Sequence, residues 1–314
     1  MKLGFLTACL KAVRLEDLVP WSAAQGFEML ELSAWPVKSK RDYQARHIDV
    51  DKLTQEGAYR IRDLFERNNM GISSLAFYEN NLHPNRNKCH SYHKHLRKVI
   101  DAAAMLDVQF VGTFVGARPV SPDIVIKEAG AFLRETVRYA EDRGVRIMFE
   151  NCPMENWVKF GLPGNYAYSP ELWDALFNEV PSESFGINLD PSHLLWLGID
   201  HNQVVRDYAS RIFHVHAKDT EILKNGLYRY GVLSDQLDAN PWKSGWWRYR
   251  MPGLGEIDWR AFLDTLREVG YDFVVSIEHE DPEYEGSVEK VKEGLQRGVR
   301  HLQRCLTGAA VESV

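Results

Sequence analysis

Phe185-Gly186-Ile187-Asn188-Leu189-Asp190-Pro191-Ser192-His193 is the stretch on which the reading of this chain turns. Phe185, Ile187 and Leu189 are spaced for one short buried strand, and the acid, proline and histidine that follow bring it to a stop. A carboxylate at a strand end, with an imidazole three residues on, points two polar side chains into one pocket. Three other stretches have the same form, an apolar run that stops at a polar side chain: 145–150, 212–216 and 273–278. Four strand ends therefore present Glu150, Asp190, His216 and Glu278.

Outward from these, short apolar runs alternate with longer amphipathic stretches along the whole chain, the pattern of repeated strand–helix units around a parallel sheet. Strands are predicted at 3–6, 29–32, 72–77, 110–115, 145–150, 185–190, 212–217 and 273–279. Helical spacing falls at 15–25, 50–68, 93–106, 122–143, 170–180 and 259–269, with a closing helix at 287–306. Gly26, Asn69 with Gly71, Gly144 and Gly270 follow helices, where a left-handed residue ends the coil. Eight such units predict an α/β fold, a (β/α)8 TIM barrel in a single domain over 1–307, with 308–314 as a flexible tail. The alternative is an open doubly wound sheet. No GxGxxG follows the first strand, which weakens its dinucleotide-binding form.

At 314 residues with 45% hydrophobic content, the chain is long enough for one large core. Its 38 basic and 44 acidic residues give a net charge of -6 without a run of like charge, which argues against nucleic acid or an anionic membrane as a partner. Cys9, Cys89, Cys152 and Cys305 are far apart and form no CxxC pair, so neither a disulfide framework nor a zinc ribbon is indicated, and a reducing cytoplasm is the expected location. The apolar start of the chain is too short for a signal sequence or a membrane span.

Two connections are predicted to be long. One is 78–87, which holds His83; the other is about 220–255, which holds Trp242, Trp246, Trp247, Arg248, Tyr249 and Arg250. Aromatic and arginine side chains crowded into a loop suit stacking on a polyol and gripping its hydroxyls or a phosphate. They suit an interface with a second copy or a partner subunit equally well.

In a barrel, Glu150, Asp190, His216 and Glu278 lie at the C-terminal ends of the fifth to eighth strands and converge. Taken singly, such acids are also common helix N-caps. Together, three carboxylates and one imidazole make an oxygen-rich donor set that fits Mn²⁺ first, or Mg²⁺, with Co²⁺ or Zn²⁺ able to substitute. Such a metal acidifies a C–H between a hydroxyl and a carbonyl by stabilising the enediolate, and one glutamate takes the proton while the other returns it.

The runs Met148-Phe149-Glu150-Asn151, Leu189-Asp190-Pro191-Ser192-His193, His214-Val215-His216-Ala217-Lys218-Asp219 and Ser276-Ile277-Glu278-His279-Glu280 resemble the sugar phosphate isomerase/epimerase family, of the xylose isomerase-like TIM-barrel superfamily. The resemblance spans nearly the whole chain. It implies that Glu150, Asp190, His216 and Glu278 are the metal ligands, that Glu150 and Glu278 are the acid/base pair, and that His193 binds substrate. Where the ketose 3-epimerases of the family carry an arginine six residues after the histidine ligand, this chain has Ile222. Lys218, Arg248 or Arg250 is then the candidate for that polar contact, with Trp247 and His83 as further substrate contacts.

The expected activity is a metal-dependent isomerase or epimerase acting on a small carbohydrate, free or phosphorylated. The alternative is a lyase on an oxidised sugar such as a 3-oxo-glycoside, which shares the enolisation and then eliminates a β leaving group. Phosphodiester hydrolysis, as in the endonuclease IV group, requires additional histidines that Asp219-Thr220-Glu221 and Asp235-Gln236-Leu237 do not supply. A non-catalytic binding subunit is disfavoured by the intact ligand set.

Overall fold

A computed structural model of the chain describes residues 1–36, 46–154, 164–233 and 245–308. In chain order the first half runs β1 (Lys2–Leu6), α1 (Leu15–Ala24), β2 (Met29–Ser33), α2 (Gln55–Arg67), β3 (Gly71–Ala76), α3 (Arg86–Leu106), β4 (Phe110–Thr113), α4 (Pro122–Glu141) and β5 (Arg146–Glu150). The second half runs α5 (Pro170–Glu179), β6 (Phe185–Leu189), α6 (Pro191–Leu197), α7 (His201–Asp207), β7 (Ile212–Ala217), β8 (Asp219–Ile222), α8 (Lys224–Tyr230), β9 (Trp247–Arg250), α9 (Trp259–Glu268), β10 (Val274–Ile277) and α10 (Val288–Thr307).

Eight strands close into a parallel barrel in the order β1-β10-β7-β6-β5-β4-β3-β2, the predicted TIM barrel. Because the pleat alternates, each strand sends one set of side chains out to the helices and the other into the barrel. On β6 the apolar Phe185, Ile187 and Leu189 join the core shared with the helices, and Asn188 turns into the polar interior. Phe110, Met148 and Phe213, with Phe273 against them, form a separate apolar cluster, and the Arg146 guanidinium lies 3.7 Å from the Phe213 ring centre. Above this plug the interior becomes polar, with Glu31, Ser73, Asn188 and His214 all buried.

Local capping places the helix starts. Thr54, Asn85, Asp190, Asp258 and Ser287 each accept a backbone N–H of the helix that follows, and Pro122, Pro170 and Pro191 occupy first-turn positions where no amide proton is needed. Helix α3 starts at Arg86, seven residues before the predicted 93, because Asn85 caps it while most of its first two turns face solvent and carry no apolar signal. The first long connection, 77–85, lies close to the predicted 78–87.

The second is not a plain loop. β8 and β9 pair antiparallel, Asp219 opposite Arg250 and Ile222 opposite Trp247, with α8 between them. Helices α6 and α7 also fill the β6–β7 connection, which the apolar pattern left without a helix. Trp242 and the run 235–237 lie outside the described residues, as do residues 309–314 of the predicted tail; Gly308 closes α10 in the left-handed conformation at φ 74°.

Asp219 ties this arm to the barrel. Its buried carboxylate accepts from Thr220 N at 2.8 Å, Gly253 N at 3.0 Å, Ile257 N at 3.1 Å and Trp259 Nε1 at 2.8 Å. An amide in its place keeps one acceptor oxygen and turns an NH₂ group against N–H donors. We expect Asp219→Asn to lose about 2–4 kcal/mol in denaturant unfolding with the fold retained. A loss under about 0.5 kcal/mol, the range of an indifferent surface change, would show that the carboxylate is not the tie.

Candidate functional site

The barrel brings the four strand-end residues together. Ligand atoms of Glu150, Asp190, His216 and Glu278 all lie within 4.8 Å of one another. His216 Nδ1 is 3.2 Å from Glu150 Oε1 and 3.3 Å from Glu278 Oε2. Asn151 braces two of the carriers, donating to the Asp190 carbonyl at 2.9 Å and accepting the Asp190 amide at 2.7 Å. Asp190 is both cap and cluster member: Oδ1 accepts the Ser192 amide at 2.8 Å, and Oδ2 makes no hydrogen bond among the described residues.

Lys218, one residue past β7 and 1% exposed, reaches into the same cluster. Its Nζ lies 2.5 Å from Glu278 Oε2, 3.0 Å from Glu280 Oε2 and 3.2 Å from Asp190 Oδ2. Burial opposes its charge, but Glu278, Glu280 and Asp190 outweigh burial and hold the ammonium well above the ordinary lysine range. Burial likewise raises Glu278, and Lys218 with His216 overcomes it, leaving that carboxyl well below the usual value. Glu150 goes the other way: burial, then the negative charge of Glu278, push it up to about 8. In the metal-free pocket Glu278 is thus a carboxylate while Glu150 holds a proton at neutral pH.

Of the predicted substrate contacts, His193 joins the cluster. Its Nε2 is 3.2 Å from Asp190 Oδ2 and 3.6 Å from Glu150 Oε1, is fully buried and has no hydrogen-bond partner among the described residues. Burial and then the Lys218 charge hold this imidazole neutral. Its Nδ1 meets the Tyr249 hydroxyl at 2.8 Å. The Tyr249 ring in turn covers Lys218, with Nζ 4.5 Å from its centre. Trp247 borders the site edge-on to Tyr249 and stacks on Trp196 at 4.6 Å and 8°.

Arg248 and Arg250 are placed elsewhere. Arg250 spends its guanidinium on Asp281 at 3.0 Å, Glu221 at 2.6 Å and Glu283 at 3.0 Å, and Arg248 pairs with Glu221 and Glu283. Both fasten the β8–β9 arm. His83 is not brought to the cluster either; its Nδ1 accepts the Asn85 amide at 2.9 Å and its ring packs edge-on against Tyr92. Sequence reasoning gave no role to Asn151, Asn188 or Tyr78, or to Tyr249 beyond its place in an aromatic loop. The spacing held a signal for one of them: Asn188 has the same parity as Asp190 and so faces the same interior.

The donors suit a divalent cation. Three carboxylates and an imidazole crowd one point, and His193 Nε2 is left there without a hydrogen bond among the described residues, as expected where a further group completes the pocket.

The chain belongs to the xylose isomerase-like TIM barrel family, whose model matches residues 19–305. It is 28% identical over 302 residues to the uncharacterized protein YfiH of Bacillus subtilis, covering 90% of this chain and 93% of that one. It is 25% identical over 217 residues to an inosose isomerase of Bacillus subtilis, covering 68% of each. The solved structure of IOLI protein with a binding zinc atom superposes with a TM-score of 0.68 at 20% identity, over 98% of this chain and 97% of that chain.

Removing the Lys218 ammonium leaves buried carboxylates facing one another with one cation fewer. We expect Lys218→Met to destabilise the metal-free protein by roughly 3–5 kcal/mol at pH 7. Glu278 is depressed, so its stabilising pairing with Lys218 exists above the carboxylate's unfolded value and fades as pH falls through its lowered folded value. The deficit should therefore shrink toward acid pH. Equal deficits in denaturant titrations at pH 7 and in strong acid would contradict the pairing.

Proposed function

We propose that this chain is a divalent-metal-dependent isomerase or epimerase of a small carbohydrate or polyol, moving a proton on a carbon next to a carbonyl. The carrying observation is the convergence of Glu150, Asp190, His216 and Glu278, whose ligand atoms lie within 4.8 Å of one another and place two glutamates in one cation-ready donor set. The inosose isomerase relative and the zinc-bearing neighbour support the same reading.

Glu150, Asp190, His216 and Glu278 are the residues that hold the ion, Mn²⁺ by preference on an oxygen-rich set. The cation supplies a Lewis acid for the negative charge that develops on substrate oxygen. Glu278 Oε2 would accept the substrate proton and return it to the neighbouring carbon for isomerisation; for epimerisation Glu150, on the other side, would deliver a proton exchanged with solvent. His193 Nε2 takes a substrate hydroxyl, its ring fixed by Tyr249. Lys218 Nζ holds positive charge beside the reacting oxygens, filling the polar role that Ile222 vacates. Tyr249, Trp247 and Trp196 form an aromatic wall that excludes water and stacks on a ring.

The test is proton NMR of Mn²⁺-loaded protein incubated in D₂O with ketoses, aldoses, inososes and 3-oxo-glycosides, after quenching and metal removal. Deuterium beside the carbonyl of one member, reduced about 10²–10⁴-fold in Glu150→Gln and Glu278→Gln, is expected. An eliminated product in place of an epimer or isomer would move the assignment to the lyase. Exchange on no member, with metal bound, would contradict the proton-transfer reading.

Metal uptake should itself depend on pH. A proton on Glu150, held up to about 8, competes with the cation, and burial-opposed His216 is kept protonated by Glu31 and Glu278. Calorimetric Mn²⁺ affinity should rise by about tenfold or more per pH unit up to pH 8 and less steeply above it, where His216 still has a proton to lose. A flat profile from pH 6 to 8 would count against Glu150 as a ligand.

A further inference from the structure

Beneath the cluster lies a second layer of buried polar side chains to which no role has yet been given. Glu31, at an inward position of β2 and 0% exposed, faces the far side of the His216 ring, with Oε2 2.8 Å from Nε2. Its other oxygen accepts the Tyr78 hydroxyl at 2.7 Å, and Tyr78 is itself fixed by the Asn188 amide at 2.8 Å. The site is shaped for that tyrosine: a Cβ on Gly112 of β4 would stand 2.3 Å from its hydroxyl.

We infer that Glu31 is a positioning residue which holds the proton on His216 Nε2 and so presents the Nδ1 lone pair to the divalent cation. This rests on the metal reading proposed above.

Two neighbours compete for His216 Nε2. Asn188 Nδ2 lies 2.9 Å away and would donate to it if it were bare; the Glu31 carboxylate would accept from it if it were protonated. The carboxylate decides. A hydrogen bond to an ionised acceptor is roughly twice as strong as a neutral one, and a buried carboxylate left with only the tyrosine proton would be costly. The remaining partners agree with this assignment: Asn188 Oδ1 accepts from His214 Nδ1 at 2.9 Å, and Ser73 Oγ donates to His214 Nε2 at 3.1 Å. Asn188 Nδ2 is then spent on Tyr78, and nothing but Glu31 receives the Nε2 proton. Glu31, His214 and His216 also lie close enough to suggest an ion of their own. Both His214 nitrogens are already bonded, so these three are better read as the support of the upper site than as a second one. A carboxylate behind a ligating imidazole fixes the ring's tautomer and raises its basicity, and losing one typically weakens metal binding about 10–100-fold.

The test compares wild type, Glu31→Gln, Tyr78→Phe and the control Ser73→Ala, whose hydroxyl hydrogen-bonds His214. Zn²⁺ and Mn²⁺ affinities are read by calorimetry, and ¹⁵N-histidine NMR of the Zn²⁺-loaded protein reads the His216 Nε2–H. Gln offers one acceptor oxygen to two donors, so Glu31→Gln should bind about 10–100-fold more weakly, with a faster-exchanging Nε2–H. Tyr78→Phe keeps the charge and removes one hydrogen bond, so a smaller loss of about 3–10-fold is expected, and it decides the matter if the glutamine variant does not fold. Ser73→Ala should bind as wild type does. Unchanged affinity and unchanged Nε2–H in Glu31→Gln, or in Tyr78→Phe if only that variant folds, would overturn the inference while leaving the metal reading intact. No binding of either ion by wild type would overturn both.

Discussion

Mutual repulsion among carboxylates governs the upper half of this barrel. Glu150, Asp190 and Glu278 offer oxygens within 4.8 Å of one another where little water reaches, and Glu280 stands nearby. Buried charges so close cannot all ionise without positive charge among them. The chain supplies two cationic groups, Lys218 and His216, and Glu150 remains protonated in the metal-free pocket. A divalent cation is the natural completion. The same repulsion that destabilises the empty pocket would favour a cation bound there.

The fold divides this labour by height. An apolar plug of Phe110, Met148, Phe213 and Phe273 closes the lower end, so that charges above it sit in a dry, fixed environment. The middle layer of Glu31, Tyr78, Asn188 and His214 packs directly under the upper layer of candidate ligands. The antiparallel β8–β9 arm then turns Tyr249 and Trp247 over the mouth, anchored on one side by Asp219 and on the other by Arg250 with Asp281, Glu221 and Glu283. Arg248 joins Arg250 in pairing with the acids beside this arm.

How much of this was legible follows from the kind of signal each element leaves. The barrel was legible because each of its strands is a short apolar run, and a strand end stops visibly at an acid or an imidazole; Phe185 to His193 shows both in nine residues. The convergence of Glu150, Asp190, His216 and Glu278 followed from the topology, since consecutive strands of a closed barrel bring their ends together. Partnerships across the barrel were not legible. Glu31 meets His216 across a separation of 185 residues, and Tyr78 meets Asn188 across 110. Nothing local marks such pairs. The β8–β9 arm was hidden for another reason: Trp247-Arg248-Tyr249-Arg250 alternates aromatic with cationic side chains, because one face packs on His193 and Trp196 and the other on acids, so no apolar period appears. Helix α3 began early for want of the same period, its start written in the Asn85 cap alone.

On the proposed function, four side chains from adjacent strand ends hold one divalent cation. Crystals grown with Mn²⁺ and measured at the manganese absorption edge test it most directly. One strong anomalous peak per chain is expected, bonded to carboxylate oxygens of Glu150, Asp190 and Glu278 and to His216 Nδ1, with Lys218 Nζ displaced from Asp190. A pocket without a peak at saturating Mn²⁺, with Lys218 still seated among the carboxylates, would contradict it.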